Sequence, residues 1–230
     1  MIDLHSHILP GIDDGSKNLE MTKQLLEALA CQNVRTVVAT PHFYASKDTP
    51  EAFLQRRQKA LEQVATLQED YPQILPGAEV AYFDGMERSG ILEQLQLGNS
   101  GLLLVEMPFC SWTQRMIRTI CDLPLHTGLT PVLAHVNRYR SRDQLPRYQD
   151  TLIESGVLFQ YNAEVFTSLL SRHWALKQLD KGYLHFLGSD THNLTTRSPM
   201  LHQAAQAITR KRGADALEQI TAFTAKQLKL

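Results

Sequence analysis

Two pairs of metal-binding residue types, each with i, i+2 spacing, lie far apart in the chain. His5 and His7 occur in DLHSH, and Asp190 and His192 occur in GSDTH. On an extended backbone, residues two positions apart project from the same face, so each pair predicts a chelate. Imidazole and carboxylate ligands without thiolate suit Mn, Fe or Zn better than a structural zinc site or a calcium cage. The sequence therefore predicts a divalent metal site that uses both pairs.

Four further imidazole or carboxylate residues end or follow other apolar runs. They are His42 in ATPH, Glu79 in GAEV, Glu106 in LVEM and His135 in LAHV. Each alone is more often a hydrogen-bonded structural residue, but buried charged groups in this number need partners or a metal. They exceed what one ion can use, so we expect two or three ions, with a carboxylate such as Glu106 able to bridge two of them. Clustered divalent ions activate water at neutral pH and neutralise an anionic substrate, typically a phosphate ester.

Arginine residues follow two of these motifs. Arg138 lies in HVNRYRSR, and Arg197 comes shortly after the SDTH motif. The planar guanidinium fork matches the geometry of phosphate oxygens. Any one surface arginine more often forms a solvent-exposed ion pair, but these two lie next to predicted ligands. They are the best candidates for contacts with a phosphate.

Short β-like runs alternate with helical segments along the chain. The seven candidate strands cover residues 2–5, 34–40, 74–82, 102–107, 130–136, 157–164 and 184–190. Helical spacing covers 19–33 and 51–70, and Thr49 before Pro50 marks a helix start. This alternation predicts a parallel sheet, whose carboxyl edge is where α/β folds build their sites. Because a shared site needs the first and last strands to be neighbours, we expect a closed barrel.

Length and composition are those of one globular domain. The 230 residues carry 23 Lys and Arg against 24 Asp and Glu, a formal net charge of −1 that argues against a nucleic-acid partner. No apolar run approaches the roughly 20 residues of a membrane span, and no secretory signal pattern is present. Three cysteines without a C-x-x-C motif support neither a disulfide framework nor a zinc ribbon. We expect a cytoplasmic protein with a single domain over residues 1–230.

Six motifs in this order resemble the PHP superfamily. They are DLHSHILPGIDDGS (3–16), ATPH (39–42), GAEV (77–80), LVEMP (104–108), LAHVNRY (133–139) and GSDTHN (188–193). More narrowly, they are similar to the manganese-dependent bacterial tyrosine-protein phosphatases encoded with capsule and exopolysaccharide genes. The resemblance implies a distorted seven-stranded (β/α) barrel with three metal ions. It also implies hydrolysis of phosphotyrosine on the tyrosine-rich tail of a cytoplasmic autokinase that controls polysaccharide production.

The resemblance also implies a role for each matching residue. It groups the ligands of one ion as His5, His7, Glu106 and Asp190, with Glu106 bridging to a second ion held by His135. It groups the ligands of a third ion as Asp14, His42, Glu79 and His192. Asp14 has the weakest support from spacing, because an acid in a PGIDDG turn is ordinarily a turn former. Arg138 and Arg197 match positions that contact the phosphate.

One departure from the family pattern follows the fifth strand. The family usually places proline and glutamate after the histidine, whereas this chain has Val136 and Asn137. The ligand and the arginine are retained. The departure puts the rigidity of this loop and the substrate preference in question.

Three rival functions stay open at this point. A small-molecule phosphomonoesterase such as a histidinol phosphatase would keep the chemistry and change the substrate. A metal-dependent amidohydrolase would usually show a lysine where this chain has Glu79 and Glu106, and a non-catalytic docking protein would have no need of both arginines. A cysteine-based tyrosine phosphatase is excluded, because no cysteine is followed by five residues and an arginine; Cys110 reaches Arg115 one residue too soon.

Overall fold

The computed structural model describes residues 1–67 and 71–230. The last three positions of the helix predicted for 51–70 therefore lie outside the described residues. The described strands are β1 (Ile2–Ser6), β2 (Thr36–Ala39), β3 (His42–Phe43), β4 (Gln73–Pro76), β5 (Glu79–Ala81), β6 (Leu102–Glu106), β7 (Thr130–Leu133), β8 (Leu158–Asn162) and β9 (Phe186–Gly188). The described α-helices are α1 (Leu19–Cys31), α2 (Pro50–Ala65), α3 (Gln114–Thr127), α4 (Leu145–Glu154), α5 (Leu169–Asp180), α6 (Leu201–Arg212) and α7 (Ala214–Leu228).

All pairings between the described strands are parallel, which confirms the α/β class and the parallel sheet. A three-stranded sheet has the order β1-β2-β4, and a six-stranded sheet has the order β3-β5-β6-β7-β8-β9. The expectation of seven continuous strands is not confirmed, because the predicted strand at 74–82 is divided into β4 and β5, and β3 is an additional short strand beyond the one predicted at 34–40. Pro41 lies between β2 and β3 and cannot donate a ladder hydrogen bond. Gly77 lies between β4 and β5, where a Cβ would come within 2.9 Å of Leu97.

The first and last strands are neighbours, as the shared metal site requires. An isolated parallel bridge joins Ser6 to Thr191, and the backbone N–H of Asp190 donates to the carbonyl of His5 at 2.7 Å. The carboxylate of Asp3 adds a side-chain link, since it accepts from the backbone N–H and the hydroxyl of Ser189 at 2.8 and 2.6 Å. Burial raises the pKa of Asp3 to about 6, although these hydrogen bonds oppose the shift. The expected adjacency of β1 and β9 is thus confirmed.

Strand alternation divides the apolar side chains between two clusters. Leu104 of β6 and Val132 of β7 belong to a small cluster with Leu4 and Phe186, which come from β1 and β9. The neighbouring residues of β6 and β7 belong instead to a larger cluster that includes the buried leucines of α1. Because successive side chains on a strand point to opposite faces, the two clusters lie on opposite faces of β6 and β7.

Helix starts follow the signals in the sequence. The side chain of Thr49 accepts from the backbone N–H of Ala52, with Pro50 in the first turn of α2, so the predicted cap is confirmed. Asn18 caps α1 in the same way by accepting from Met21. None of the described helices combines the length and apolar character that a membrane crossing requires.

Candidate metal centre

His5 and His7 turn their Nε2 atoms toward each other at 3.1 Å, and both side chains are buried. The opposite nitrogens are held by other groups. His7 Nδ1 donates to Asp13 Oδ2 at 2.7 Å, and His5 Nδ1 donates to Gln160 Oε1 at 3.0 Å. The same Gln160 oxygen accepts from the backbone N–H of His135 at 2.6 Å, which identifies it as the acceptor. Both imidazoles therefore direct Nε2 to a common point, as metal-binding histidines do when a second partner fixes Nδ1.

Glu79 lies at the centre of the imidazole groups. Its Oε1 is 2.9 Å from His135 Nε2, and its Oε2 is 3.0 Å from His42 Nδ1. The same Oε2 lies 3.3 Å from Nε2 of both His5 and His7. Burial alone would raise the pKa of Glu79, but the charge of His5 and the hydrogen bond from His135 hold it well below the usual range. One buried carboxylate thus contacts four imidazoles.

Asp190 joins the first imidazole pair to both arginines. Its Oδ1 lies 3.5 Å from His7 Nε2 and 2.6 Å from an Arg197 nitrogen, and its Oδ2 lies 2.7 Å from an Arg138 nitrogen. The side chain of Asn162 donates to the same Oδ2 at 2.8 Å. Burial alone would raise the pKa of Asp190, but the charges of His5, His7 and Arg138 lower it. The residue has φ +52°, a left-handed conformation that a non-glycine residue adopts only where surrounding contacts hold it.

Short backbone turns position both arginines. The Asn193 side chain accepts from the backbone N–H groups of Thr195, Thr196 and Arg197. The carbonyl of Arg197 accepts in turn from the backbone N–H of His192 at 3.0 Å. Arg138 lies in a single 3₁₀ turn that begins after His135. Both arginine side chains are about 30% exposed, and each reaches from the surface to the buried carboxylate of Asp190.

His42, His192 and Asp14 form a more open part of the site. Asp14 Oδ1 lies 3.5 Å from His42 Nε2 and 3.4 Å from His192 Nε2, and the Asp14 side chain is 66% exposed. Burial and the charge of His7 lower the pKa of His192 to about 4. The ring of Tyr44 stacks on that of His42 with centroids 5.4 Å apart. Burial and the charges of nearby carboxylates raise the pKa of Tyr44 to about 12.

His135 and Glu106 complete the cluster, with His135 Nε2 3.3 Å from Glu106 Oε1. Burial lowers the pKa of His135, but hydrogen bonds to Glu106 and Glu79 outweigh it and raise the pKa to about 9. His135 has φ +32°, so both it and Asp190 occupy left-handed backbone at a strand end. Strained backbone of this kind concentrates at functional sites.

The donor set fits divalent ions. Three groups of ligand atoms each lie within 4.8 Å of one another: His7, Asp14, His42 and His192; His5, His7 and Asp190; and His42, Glu79 and Glu106. Within residues 1–67 and 71–230, four buried atoms of the predicted ligands make no hydrogen bond: Glu79 Oε2, His42 Nδ1, His135 Nδ1 and His192 Nε2. Buried polar atoms without partners are costly. Metal coordination would satisfy those that face the cluster.

The spatial groups differ in part from the ligand sets that the resemblance implies. The resemblance places Glu79 with Asp14, His42 and His192, whereas His7 is the residue that joins those three in space. Glu79 instead groups with His42 and Glu106. Every predicted ligand lies in this one cluster, and His135 joins it through its contacts with Glu79 and Glu106.

Sequence reasoning missed Asp13, Gln160 and Asn162, which hold the predicted ligands in place. Gln160 Nε2 donates to Asn162 Oδ1 at 3.0 Å, which connects the imidazole pair to the Asp190 carboxylate. A signal was available, because Gln160 and Asn162 are alternate polar residues inside an apolar strand pattern, FQYN. Asp13 gave no comparable signal, since it differs from Asp14 only by one position in the turn.

The departure at Val136 and Asn137 leaves the loop firmly attached. Val136 is fully buried, and the Asn137 side chain accepts from the backbone N–H of Asn162 at 2.8 Å. The loop after β7 is therefore fastened to the end of β8 by the residue that replaces the usual glutamate.

Comparison with known proteins gives concordant results. The model of the family described as "Capsular polysaccharide synthesis, CpsB/CapC" matches residues 1–229. A tyrosine-protein phosphatase CpsB of Streptococcus agalactiae serotype III (strain NEM316) is 32% identical over 231 residues, covering 96% of this chain and 94% of the relative.

Two solved structures bear on the site. One belongs to work on YwqE from Bacillus subtilis and CpsB from Streptococcus pneumoniae, described as unique metal-dependent tyrosine phosphatases. It has a TM-score of 0.86 and 25% identity, over 100% of this chain and 94% of that one. A histidinol phosphate phosphatase from Lactococcus lactis has a TM-score of 0.60 and 14% identity, over 91% of this chain and 92% of that one. The second likeness is one of fold alone.

Proposed function

The chain belongs to the CpsB/CapC family of capsular polysaccharide synthesis, and from this we propose that it is a metal-dependent protein-tyrosine-phosphatase. One observation carries the proposal. Arg138 and Arg197 both place a guanidinium nitrogen within 2.7 Å of Asp190, which itself lies among the imidazoles of the cluster. A site that places two guanidinium groups, which can donate to phosphate oxygens, beside a group of divalent-metal ligands is suited to bind a phosphate monoester.

The proposed metal ligands are the nine residues predicted from the sequence: His5, His7, Asp14, His42, Glu79, Glu106, His135, Asp190 and His192. Their nitrogen and oxygen donors suit Mn²⁺, and Fe and Zn accept the same donor types. When bound, such ions supply an activated nucleophile at neutral pH and neutralise phosphate charge. We assign them two or three positions.

The protein's own groups bind and orient the substrate. Arg138 and Arg197 hold the non-bridging phosphate oxygens and stabilise the charge that develops on them during transfer. The network from Asp13 and Gln160 keeps the imidazoles in one orientation, so the ligands need little rearrangement. A tyrosine leaving group, with an unperturbed pKa of about 10, needs less proton donation than an alkyl alcohol.

The proposal extends to the biological setting. The substrate is a phosphotyrosine protein, the tyrosine-rich tail of a bacterial autokinase, and the reaction takes place in the cytoplasm during capsule or exopolysaccharide synthesis. The curated relative is named for the same activity. We further propose that residues 1–230 form a single phosphatase domain, and that the two curved sheets act as one distorted seven-stranded barrel.

A comparison of substrates tests this function against its nearest rival. Metal-loaded protein should hydrolyse a phosphotyrosyl peptide with a kcat/KM well above that for histidinol phosphate. A clear preference for histidinol phosphate would contradict the proposal and favour a small-molecule phosphomonoesterase.

A further inference from the structure

A large apolar side chain lies exposed beside the ligand cluster. Phe109 is 60% exposed, yet its ring stacks on that of His135, with centroids 5.9 Å apart and an interplanar angle of 17°. The Phe109 ring also packs at a tilt against the ring of Tyr139, with centroids 5.2 Å apart. Phe109 thus presents an aromatic surface to solvent, offset beside the ring of one of the proposed ligands.

The loop that carries Phe109 is fixed on both sides of it. The indole N–H of Trp112 donates to the carbonyl of Pro108 at 3.0 Å, and the side chain of Gln144 donates to the carbonyl of Cys110 at 3.0 Å. The backbone N–H of Trp112 also donates to Asp143 at 2.9 Å. Because its two neighbours in sequence are held, the exposure of the Phe109 ring is a property of the folded loop.

A second aromatic ring, that of Tyr44, lies on another proposed metal ligand, His42. Like His135, His42 contacts the carboxylate of Glu79. Tyr44 stacks on His42 with an interplanar angle of 30°. His42 contacts Oε2 of Glu79, and His135 contacts Oε1. The rings of Phe109 and Tyr44 therefore cover two imidazoles that approach the same carboxylate from its two oxygens.

We propose that Phe109, assisted by Tyr44, determines specificity by stacking on the phenyl ring of the substrate. This inference rests on the proposed function and names the part of the substrate that the metal ligands and arginines do not contact. A phosphate held by Arg138 and Arg197 leaves its ester group to extend toward the rim of the site. Offset or edge contacts between aromatic rings stabilise a complex by more than the buried apolar area alone would. An alkyl ester would not gain this extra stabilisation. The site would therefore select aryl over alkyl phosphate monoesters.

Binding of two non-hydrolysable probes to Mn²⁺-loaded protein tests the proposal. Benzylphosphonate carries a ring and methylphosphonate does not, so the ratio of their Kd values measures the contribution of the ring. We expect the wild type to prefer benzylphosphonate about tenfold. Phe109→Ala should reduce that preference to about twofold or less, and Phe109→Leu, which keeps apolar bulk, should lie between. Leu170→Ala, a truncation of an exposed side chain on α5, is the control and should leave the ratio unchanged.

The outcomes separate this proposal from the function on which it rests. Equal binding of the two probes by the wild type, or an unchanged ratio in Phe109→Ala, would overturn the stacking role. An equal loss of affinity for both probes would also overturn it, because Phe109 would then act only by supporting His135. Turnover of a phosphotyrosyl peptide, measured on the same preparation, reports the proposed function separately. A ring preference without turnover would support the aromatic site and contradict the phosphatase activity.

Discussion

The carboxylate of Asp13 lies 2.7 Å from Nδ1 of His7 and so determines which nitrogen of that ring faces the ligand cluster. Asp13 also accepts from the backbone N–H groups of Gly15 and His42, at 2.9 and 3.1 Å. Burial would raise the pKa of Asp13, but the hydrogen bond and charge of His7 hold it well below its usual range. One carboxylate that is not itself a predicted ligand thus connects two proposed ligands.

Replacing Asp13 with asparagine should weaken Mn²⁺ binding about 10- to 100-fold, because the amide is a weaker acceptor for His7 Nδ1 and loses the charge. Titration of metal-stripped protein with Mn²⁺ measures the change. Asp84→Asn, at a carboxylate on the surface, is the matched control. Equal affinities for the two variants would show that Asp13 does not orient His7 for metal binding.

Metal uptake should release protons at about pH 7. Burial lowers the pKa of His7, but the hydrogen bond to Asp13 and the charges of Asp13 and Glu79 outweigh it and raise the pKa to about 10. The pKa of His135 is raised to about 9. Both values lie above the ordinary imidazole value, so the metal-free rings hold protons at neutral pH that an ion must displace. Apparent affinity should therefore rise with pH up to about 9 to 10. Calorimetric titrations in two buffers of different ionisation enthalpy measure the release, and a heat independent of buffer would contradict it.

The same shifts bear on the stability of the metal-free protein. A histidine whose folded pKa is raised stabilises the fold below its unfolded pKa of about 6.5, and this contribution is lost as pH rises through the folded value. For His7 and His135 the loss falls between the unfolded value and about 9 to 10. The metal-free Tm should decrease over this window, and the metal-loaded Tm should decrease less. A parallel decrease in both forms would exclude these two imidazoles as the cause.

Gly188→Ala should lower the free energy of unfolding by about 1 to 3 kcal/mol. A Cβ at Gly188 would lie 2.7 Å from both Gln160 Nε2 and His5 Cβ, so the end of β9 could not approach β1 as it does. Gly90→Ala is the matched control, because its Cβ would meet nothing within 4 Å and its φ is not left-handed. Chemical denaturation of both metal-free variants measures the difference, and equal stabilities would contradict the close packing at Gly188.

Gln160→Met should destabilise the protein by about 1 to 3 kcal/mol for each donor it leaves unpaired. The donors are Nδ1 of His5 and the backbone N–H of His135, which both depend on Gln160 Oε1. Gln58→Met, on the exposed face of α2, is the control. Coincident unfolding curves for the two variants would mean that the hydrogen bonds accepted by Gln160 Oε1 do not contribute to stability.

The sequence predicted the positions that i, i+2 geometry and strand ends determine. His5 and His7 share one ligand group, as their i, i+2 spacing predicted, and Asp190 joins them because β1 and β9 are neighbours. The chelate predicted for Asp190 and His192 was wrong, because Asp190 has left-handed rather than extended backbone and the two residues fall in different groups. The central place of Glu79 could not be predicted, since it depends on four imidazoles from three separate parts of the chain.

Adjacent acids show a second limit of the sequence. The Asp13 side chain is 6% exposed and that of Asp14 is 66% exposed. Nothing in PGIDDG distinguishes them, because the direction of each side chain depends on how the turn packs against His7 and His42. The division of the predicted strand at 74–82 had the same origin, since the close packing of Gly77 against Leu97 exists only once the chain is folded.

The central claim is that the ligand cluster and the arginines form a metal-dependent phosphatase site. Its most direct test is phosphate release from a phosphotyrosyl peptide by metal-stripped protein, before and after Mn²⁺ is added, for the wild type, Arg138→Ala and the control Arg140→Ala. We predict no turnover without metal, restoration by Mn²⁺ in the wild type and the control, and a loss of about 10²-fold or more in Arg138→Ala. Failure of any divalent metal to restore turnover, or full activity in Arg138→Ala, would contradict the account.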